Sequence, residues 1–136
     1  MKTVLTVGVF DLLHYGHIEL FRKAKQYGDC LIVAVQESEY VTKFKPHANL
    51  VYNTNERLYM VSAIKYVDNV TTYTSIDEII DKIDFDVFAV GEDQNHDKFK
   101  AAVEWCRENG KEIVRLTRTE GISTSMIKNL LQSKNK

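Results

Sequence analysis

Apolar residues in this chain come in short unbroken runs, separated by stretches where they recur at helical spacing. Residues 3–9, Thr-Val-Leu-Thr-Val-Gly-Val, read as a buried strand. From Gly16 the pattern changes, and Ile18, Phe21, Ala24 and Lys25 follow a helical period until Gly28-Asp29 stops it. Residues 30–36, Cys-Leu-Ile-Val-Ala-Val-Gln, form a second apolar run. Strand, helix and strand this close together predict a βαβ unit, with parallel strands and a right-handed crossover.

Residues 37–53 carry Lys43, Lys45, His47 and the chain's one proline, Pro46, without a clean period, and are expected to be a loop. Thr54 is expected to cap a helix through about Lys65, with Leu58, Val61, Ala63 and Ile64 as its apolar face. A short strand near Val70 follows, then a helix capped by Ser75, with Glu78 completing a capping box. Residues 85–90 form another buried strand that runs into Gly91-Glu92-Asp93-Gln94. A helix over 97–109 uses Phe99, Ala102, Val103 and Cys106 and stops at Gly110. Residues 112–116 are a strand, and 123–132 a last helix capped by Ser123, before a frayed tail. There is no internal repeat or linker. The alternation predicts an α/β fold: one domain over 1–136, a single doubly wound, mostly parallel sheet with helices on both faces, Rossmann-like in plan.

Composition narrows the function classes. The chain has 136 residues, enough for one sizeable core. Lys and Arg number 18 against 19 Asp and Glu, a net charge of -1, which speaks against nucleic-acid or membrane binding driven by bulk charge. No apolar run approaches the ~20 residues of a membrane span. Met1-Lys2 leads directly into a strand, so no secretory signal is read there. Cys30 and Cys106 lie far apart inside apolar patterns and read as buried thiols of a reducing compartment. The expected location is the cytoplasm.

The candidate chemistry sits where the first strand meets the first helix. His14 and His17 flank Gly16 there. The C-terminal ends of parallel strands are where α/β sheets bind ligands, and the first-turn amides of a helix attract anions. Imidazoles at such a corner can donate to phosphate oxygens and stabilise charge developing in a transition state, while Gly16 admits close approach to the backbone. The bland alternative is a pair of polar residues closing a surface turn. A zinc site is weaker, because two histidines do not fill four positions and neither cysteine has ligand spacing. No Ser/His/Asp or Cys/His constellation is evident. His47 and His96 read as surface residues, and Trp105 as packing.

The segment Gly8-Val-Phe-Asp-Leu-Leu-His-Tyr-Gly-His17 resembles the signature of the small cytidylyltransferases of the His-x-Gly-His nucleotidyltransferase superfamily, those acting on glycerol 3-phosphate in particular. Arg118-Thr-Glu-Gly-Ile-Ser-Thr-Ser125 is similar to a C-terminal block of that family, and Glu56-Arg57 with Lys65-Tyr-Val-Asp68 to a third. The resemblance spans nearly the whole chain. It implies that a phosphate oxygen of an acceptor attacks the α-phosphorus of CTP with loss of pyrophosphate, with Mg2+ accompanying the triphosphate. On this resemblance His14, His17, Lys43 and Arg118 are the catalytic candidates. Lys45, Arg57, Ser123 and Thr124 would hold phosphates. Val9, Phe10 and Gly16 would line the nucleotide site at the corner between the first strand and the first helix, Gly91, Asp93 and Gln94 just after the fourth strand, and Thr119 and Ile122 from the C-terminal block. Asp11 would be either a supporting partner or a turn residue. The surface alternative for Arg57 is an ion pair with Glu56 or Asp68. The partners implied are small molecules, with a homodimer as the assembly.

Two segments depart from the family pattern. Gln36-Glu37-Ser38-Glu39 stands where the family has a Thr-Asp pair, so that Ser38 replaces an aspartate. Gly91-Glu92-Asp93-Gln94 lacks the family's tryptophan and looks more like archaeal FAD-synthetase-type adenylyltransferases. An ATP-dependent enzyme of the same superfamily and a nucleotide-binding module without turnover are therefore the rival readings.

Overall fold

The computed structural model describes residues 1–44, 49–91, 97–117 and 127–131. Among the described residues, five strands form one parallel sheet: β1 (Thr3–Gly8), β2 (Cys30–Gln36), β3 (Asn69–Tyr73), β4 (Val87–Gly91) and β5 (Glu112–Leu116). Their order is β3-β2-β1-β4-β5. The helices are α1 (Tyr15–Lys25), α2 (Ser38–Phe44), α3 (Thr54–Ser62), α4 (Ile76–Ile79) and α5 (Asp97–Glu108). Residues 127–131 are also helical. The doubly wound plan expected from the sequence is the one observed.

Neighbouring residues of a strand point to opposite faces, and both faces of the central strands are covered, which is why these strands are apolar without alternation. On one side Leu5, Val7, Ala34, Phe88 and Val90 pack with Ile76, Ile79, Phe99, Ala102 and Cys106 from α4 and α5. Trp105 packs against this core, as expected. On the other side Val4, Leu31, Val33, Val35, Val87 and Ala89 meet Phe21 and Ala24 of α1 and Val61 of α3.

Strand order reverses at β1, since β2 and β3 lie to one side of it and β4 and β5 to the other. β1 pairs with β2 along its whole length, from Thr3–Cys30 to Gly8–Val35, but with β4 only at Val4–Val87 and Leu5–Phe88. Beyond that point the buried Thr6 hydroxyl donates to the Ala89 carbonyl at 2.9 Å, a side chain replacing the ladder bond. The ligand crevice of such a sheet lies at this divergence.

Several local expectations are corrected. Residues 38–44 are helical rather than loop. Asn53, and not Thr54, is the N-cap of α3. Its Oδ1 accepts from the Glu56 amide at 2.8 Å, and Glu56 returns a bond from the Asn53 amide at 3.0 Å. The helix ends at Ser62, short of Lys65. Ser75 occupies the N-cap position of α4 without a side-chain capping bond, and the Glu78 carboxylate takes the Thr74 hydroxyl instead. The expected cap Ser123 lies outside the described residues, as do His47 and His96.

Candidate active site

The turn from β1 into α1 is strained. Phe10 (φ 54°) and Leu12 (φ 49°) both adopt the left-handed conformation without being glycine, at a cost of about 1–3 kcal/mol each. Gly8 permits it: a Cβ there would lie 2.8 Å from the tip of the Phe10 ring, which folds back over it. Between the two strained residues sits Asp11, only 4% exposed. Its carboxylate accepts from the Val51 amide at 2.9 Å and the Tyr52 amide at 3.0 Å, and pairs with Lys128 at 2.9 Å. Burial pushes the Asp11 carboxyl up, but the Val51, Lys128 and Tyr52 hydrogen bonds and the Lys128 charge outweigh it and hold the group below the usual carboxylate range. Lys128 also donates to the Asn49 carbonyl at 2.6 Å. Asp11 is thus the staple that joins the β1 exit to the segment before α3 and to the helix at 127–131. Nothing in the sequence around Lys128 signals this role.

The two histidines cap α1 with each other. His14 is the N-cap, and its Nδ1 accepts from the Gly16 amide at 3.0 Å. His17 Nδ1 reaches back to accept from the His14 amide at 3.2 Å. This is the reciprocal arrangement of a capping box, built from imidazoles in place of a hydroxyl and a carboxylate. The rings stack at 3.9 Å between centroids, inclined by 28°. Phe10 supports His17 edge-on at 5.6 Å.

The chemistry of the pair follows. A neutral imidazole that accepts at Nδ1 carries its proton on Nε2. Burial, and then the neighbouring His14, lower the His17 pKa from 6.5 to about 4, so His17 is neutral near pH 7. The backbone therefore fixes the orientation of both rings, and Nε2 of His14 lies buried. The amides of Gly16, His17 and Ile18 are all used locally, by His14 Nδ1 and by the His14 carbonyl. The expectation of a bare helix terminus waiting for an anion is corrected accordingly, because the donors have been handed on to the imidazoles.

Arg57 departs from both readings made of it. It is fully buried on α3, so it is neither a surface ion-pair partner nor a phosphate-binding side chain. Its Nη1 donates to the Val9 and Gln36 carbonyls at 2.8 Å each, Nε to the Tyr52 carbonyl at 3.1 Å, and Nη2 to the Ser38 hydroxyl at 2.9 Å. Glu56 belongs to the α3 cap, and Asp68 pairs with Lys25. Phe10, expected to line the nucleotide site, has its ring in the core, which leaves the backbone of Val9 and Phe10 as what the β1 exit can offer a ligand.

Lys43 lies exposed in the last turn of α2, with its ammonium 5.6 Å from the Tyr40 ring centroid. α2 is fixed at its start, where the Thr54 hydroxyl accepts from the Ser38 amide at 2.9 Å. Gly91 ends β4, in register with Leu116 of β5. Lys45, Asp93, Gln94, Arg118, Thr119, Ile122, Ser123 and Thr124 lie outside the described residues. Among the described residues no three His, Cys, Asp or Glu side chains cluster as a metal cage, and no helix is long and apolar enough to cross a membrane.

Known proteins resemble this chain over most of its length. A family model described as Cytidylyltransferase-like matches residues 5–130. The chain is 41% identical over 137 residues to the glycerol-3-phosphate cytidylyltransferase of Staphylococcus aureus (strain NCTC 8325 / PS 47), covering 98% of each. It is 39% identical over 120 residues to the FAD synthase of Thermococcus kodakarensis, covering 83% of this chain and 78% of that one. The crystal structure of the lipopolysaccharide core biosynthesis protein from Thermoplasma volcanium superposes with a TM-score of 0.76 at 27% identity, over 88% of this chain and 99% of that one. The chain belongs to the cytidylyltransferase-like family.

Proposed function

We propose that the protein is a CTP-dependent cytidylyltransferase whose acceptor is a small phosphorylated alcohol, glycerol 3-phosphate first among them. An acceptor phosphate oxygen forms a bond to the α-phosphorus of CTP, the α–β bridging bond breaks in line, and pyrophosphate leaves. No side chain has to become covalently attached, so the protein's part is positioning and charge stabilisation. The observation that carries the reading is the mutually capped imidazole pair at the point where β1 and β4 diverge. His14 and His17 then donate through Nε2 to the phosphate oxygens that gain charge in the transition state. Lys43, Lys45, Arg118, Ser123 and Thr124 serve as the further phosphate-binding groups. Asp11 already holds two amides and a lysine, so Mg2+ is assigned to the substrate, entering as the CTP complex with most of its own waters. The same proposal takes the protein to be a cytoplasmic homodimer.

The test is pyrophosphate release from each of the four nucleoside triphosphates, with a panel of phosphorylated alcohols. Release with CTP and glycerol 3-phosphate is expected. Release with ATP alone would overturn the base assignment in favour of the adenylyl reading, which the FAD synthase relative and the Gly91-Glu-Asp-Gln94 segment favour.

A further inference from the structure

The Arg57 guanidinium has five N–H donors, and five neutral oxygens receive them: the carbonyls of Val9, Gln36 and Tyr52, the Ser38 hydroxyl, and the Thr54 hydroxyl at 3.5 Å. The residue is 0% exposed, yet none of these acceptors is a carboxylate. Burial lowers the Arg57 pKa from its ordinary value, and only the more distant Asp11 and Tyr73 act against this. Asp11 is itself paired with Lys128. A buried charge normally takes an opposite charge as its partner, because dipoles alone repay little of its lost hydration. Here the cation rests on the Val9 and Gln36 carbonyls, at the C-terminal ends of β1 and β2. In a medium less polarisable than water its field reaches farther than that of a surface charge.

We propose that Arg57 and Ser38 form a positioning site for the transfer reaction: the neutral Ser38 leaves the guanidinium charge uncancelled, and that charge strengthens binding of the polyanionic phosphates at the ends of β1 and β2. Arg57 touches no substrate. It clamps the histidine corner (through Val9), the β2 exit (through Gln36) and the start of α2 (through Ser38) into one frame, and it makes that frame positive. Ser38 then sets substrate affinity from beneath the site. The proposal rests on the cytidylyltransferase reading for its substrates.

The test compares Ser38→Asp with Ser38→Asn in the full chain. The two differ in charge but hardly in size, so their ratio isolates the cancelled charge. Calorimetry gives the affinity for inorganic pyrophosphate, kinetics give KM for CTP and for the acceptor, and thermal unfolding gives Tm. Relative to Ser38→Asn, Ser38→Asp is expected to bind pyrophosphate about five- to tenfold more weakly and to raise both KM values by a similar factor, with an equal or higher Tm, as one unit charge acting through mixed protein and solvent requires. A higher Tm with unchanged pyrophosphate affinity would overturn the proposal and leave Arg57 a purely structural clamp. If Ser38→Asp does not fold, Thr54→Asp against Thr54→Asn delivers the same charge to Nη2 from the other hydroxyl, with the same expected ratio. Pyrophosphate binding needs no turnover. Failure of the wild type to release pyrophosphate with any acceptor would therefore strike the reading of the reaction, and an unchanged affinity ratio would strike this proposal.

Discussion

The histidine corner and the arginine hub solve opposite problems with the same kinds of bond. At the corner, backbone N–H groups donate to side chains: the Gly16 amide holds His14, and the His14 amide holds His17. Each imidazole is oriented through its Nδ1. At the hub a side chain donates to the backbone, and Arg57 gives its N–H groups to three carbonyls and two hydroxyls. Nothing of its hydrogen bonding is left for a ligand, and only its charge reaches outward. A polar residue near a phosphate site can therefore act by contact or by field, and the count of its remaining donors says which.

The comparison predicts its largest effect at His17. On the proposed reaction, replacing His17 with Ala removes a donor to the charge that develops on phosphate, and turnover is expected to fall about a hundred- to a thousandfold, the usual cost of one such donor. The circular dichroism spectrum should be unchanged, because the sheet and both cores lie elsewhere. Steady-state kinetics with CTP would check this. Turnover within about threefold of wild type would remove His17 from the chemistry and break the distinction between the two regions.

Acidification is expected to have the next effect, this time on stability. His17 protonates at about 4 in the folded protein, against 6.5 when unperturbed. Between those values the unfolded chain binds the extra proton and the folded one does not. Stability therefore rises with pH across this window, is complete above 6.5, and is lost as pH falls from 6.5 to about 4. The loss should be about 2 kcal/mol, allowing for the partial exposure of the ring. Denaturant melts of the wild type and His17→Ala between pH 4 and 8 should converge toward acid. A constant difference would mean that the capped imidazole is not kept neutral by the corner.

The two regions also differ in how far the sequence discloses them. The corner was legible because a strand, a positional His-x-Gly-His pattern and a helix follow one another within a few residues, so local spacing carries the geometry. The parallel sheet was legible for a similar reason: runs such as Cys30–Gln36 are apolar on both faces. The left-handed Phe10 and Leu12 gave no sign, since neither is glycine and the strain is held by the Asp11 staple across some 40 residues of chain. α2 carries little pattern in the sequence, because among its residues of described burial only Val41 is buried and its anchor is a hydroxyl on another helix. Arg57 carried a signal that composition hides. It stands four residues before Val61, on the face that α3 buries, so helical periodicity put it inside while its charge suggested outside.

The smallest predicted effect separates the hub from the helix that bears it. Asn53→Ala removes the side-chain acceptor of the Glu56 amide at the start of α3, one turn before Arg57. Loss of such a cap costs about 1 kcal/mol, or about 3 °C in Tm for a chain of this length. The five bonds of Arg57 fix the first turn of α3 independently of the cap, so KM for CTP should stay within about twofold of wild type. Thermal unfolding and steady-state kinetics on the same preparation decide it. A loss above about 2 kcal/mol together with a raised KM would mean that the cap holds the arginine in place. The frame behind the site would then be built from the helix inward, whereas the proposed order starts at the guanidinium and works outward to the strand ends.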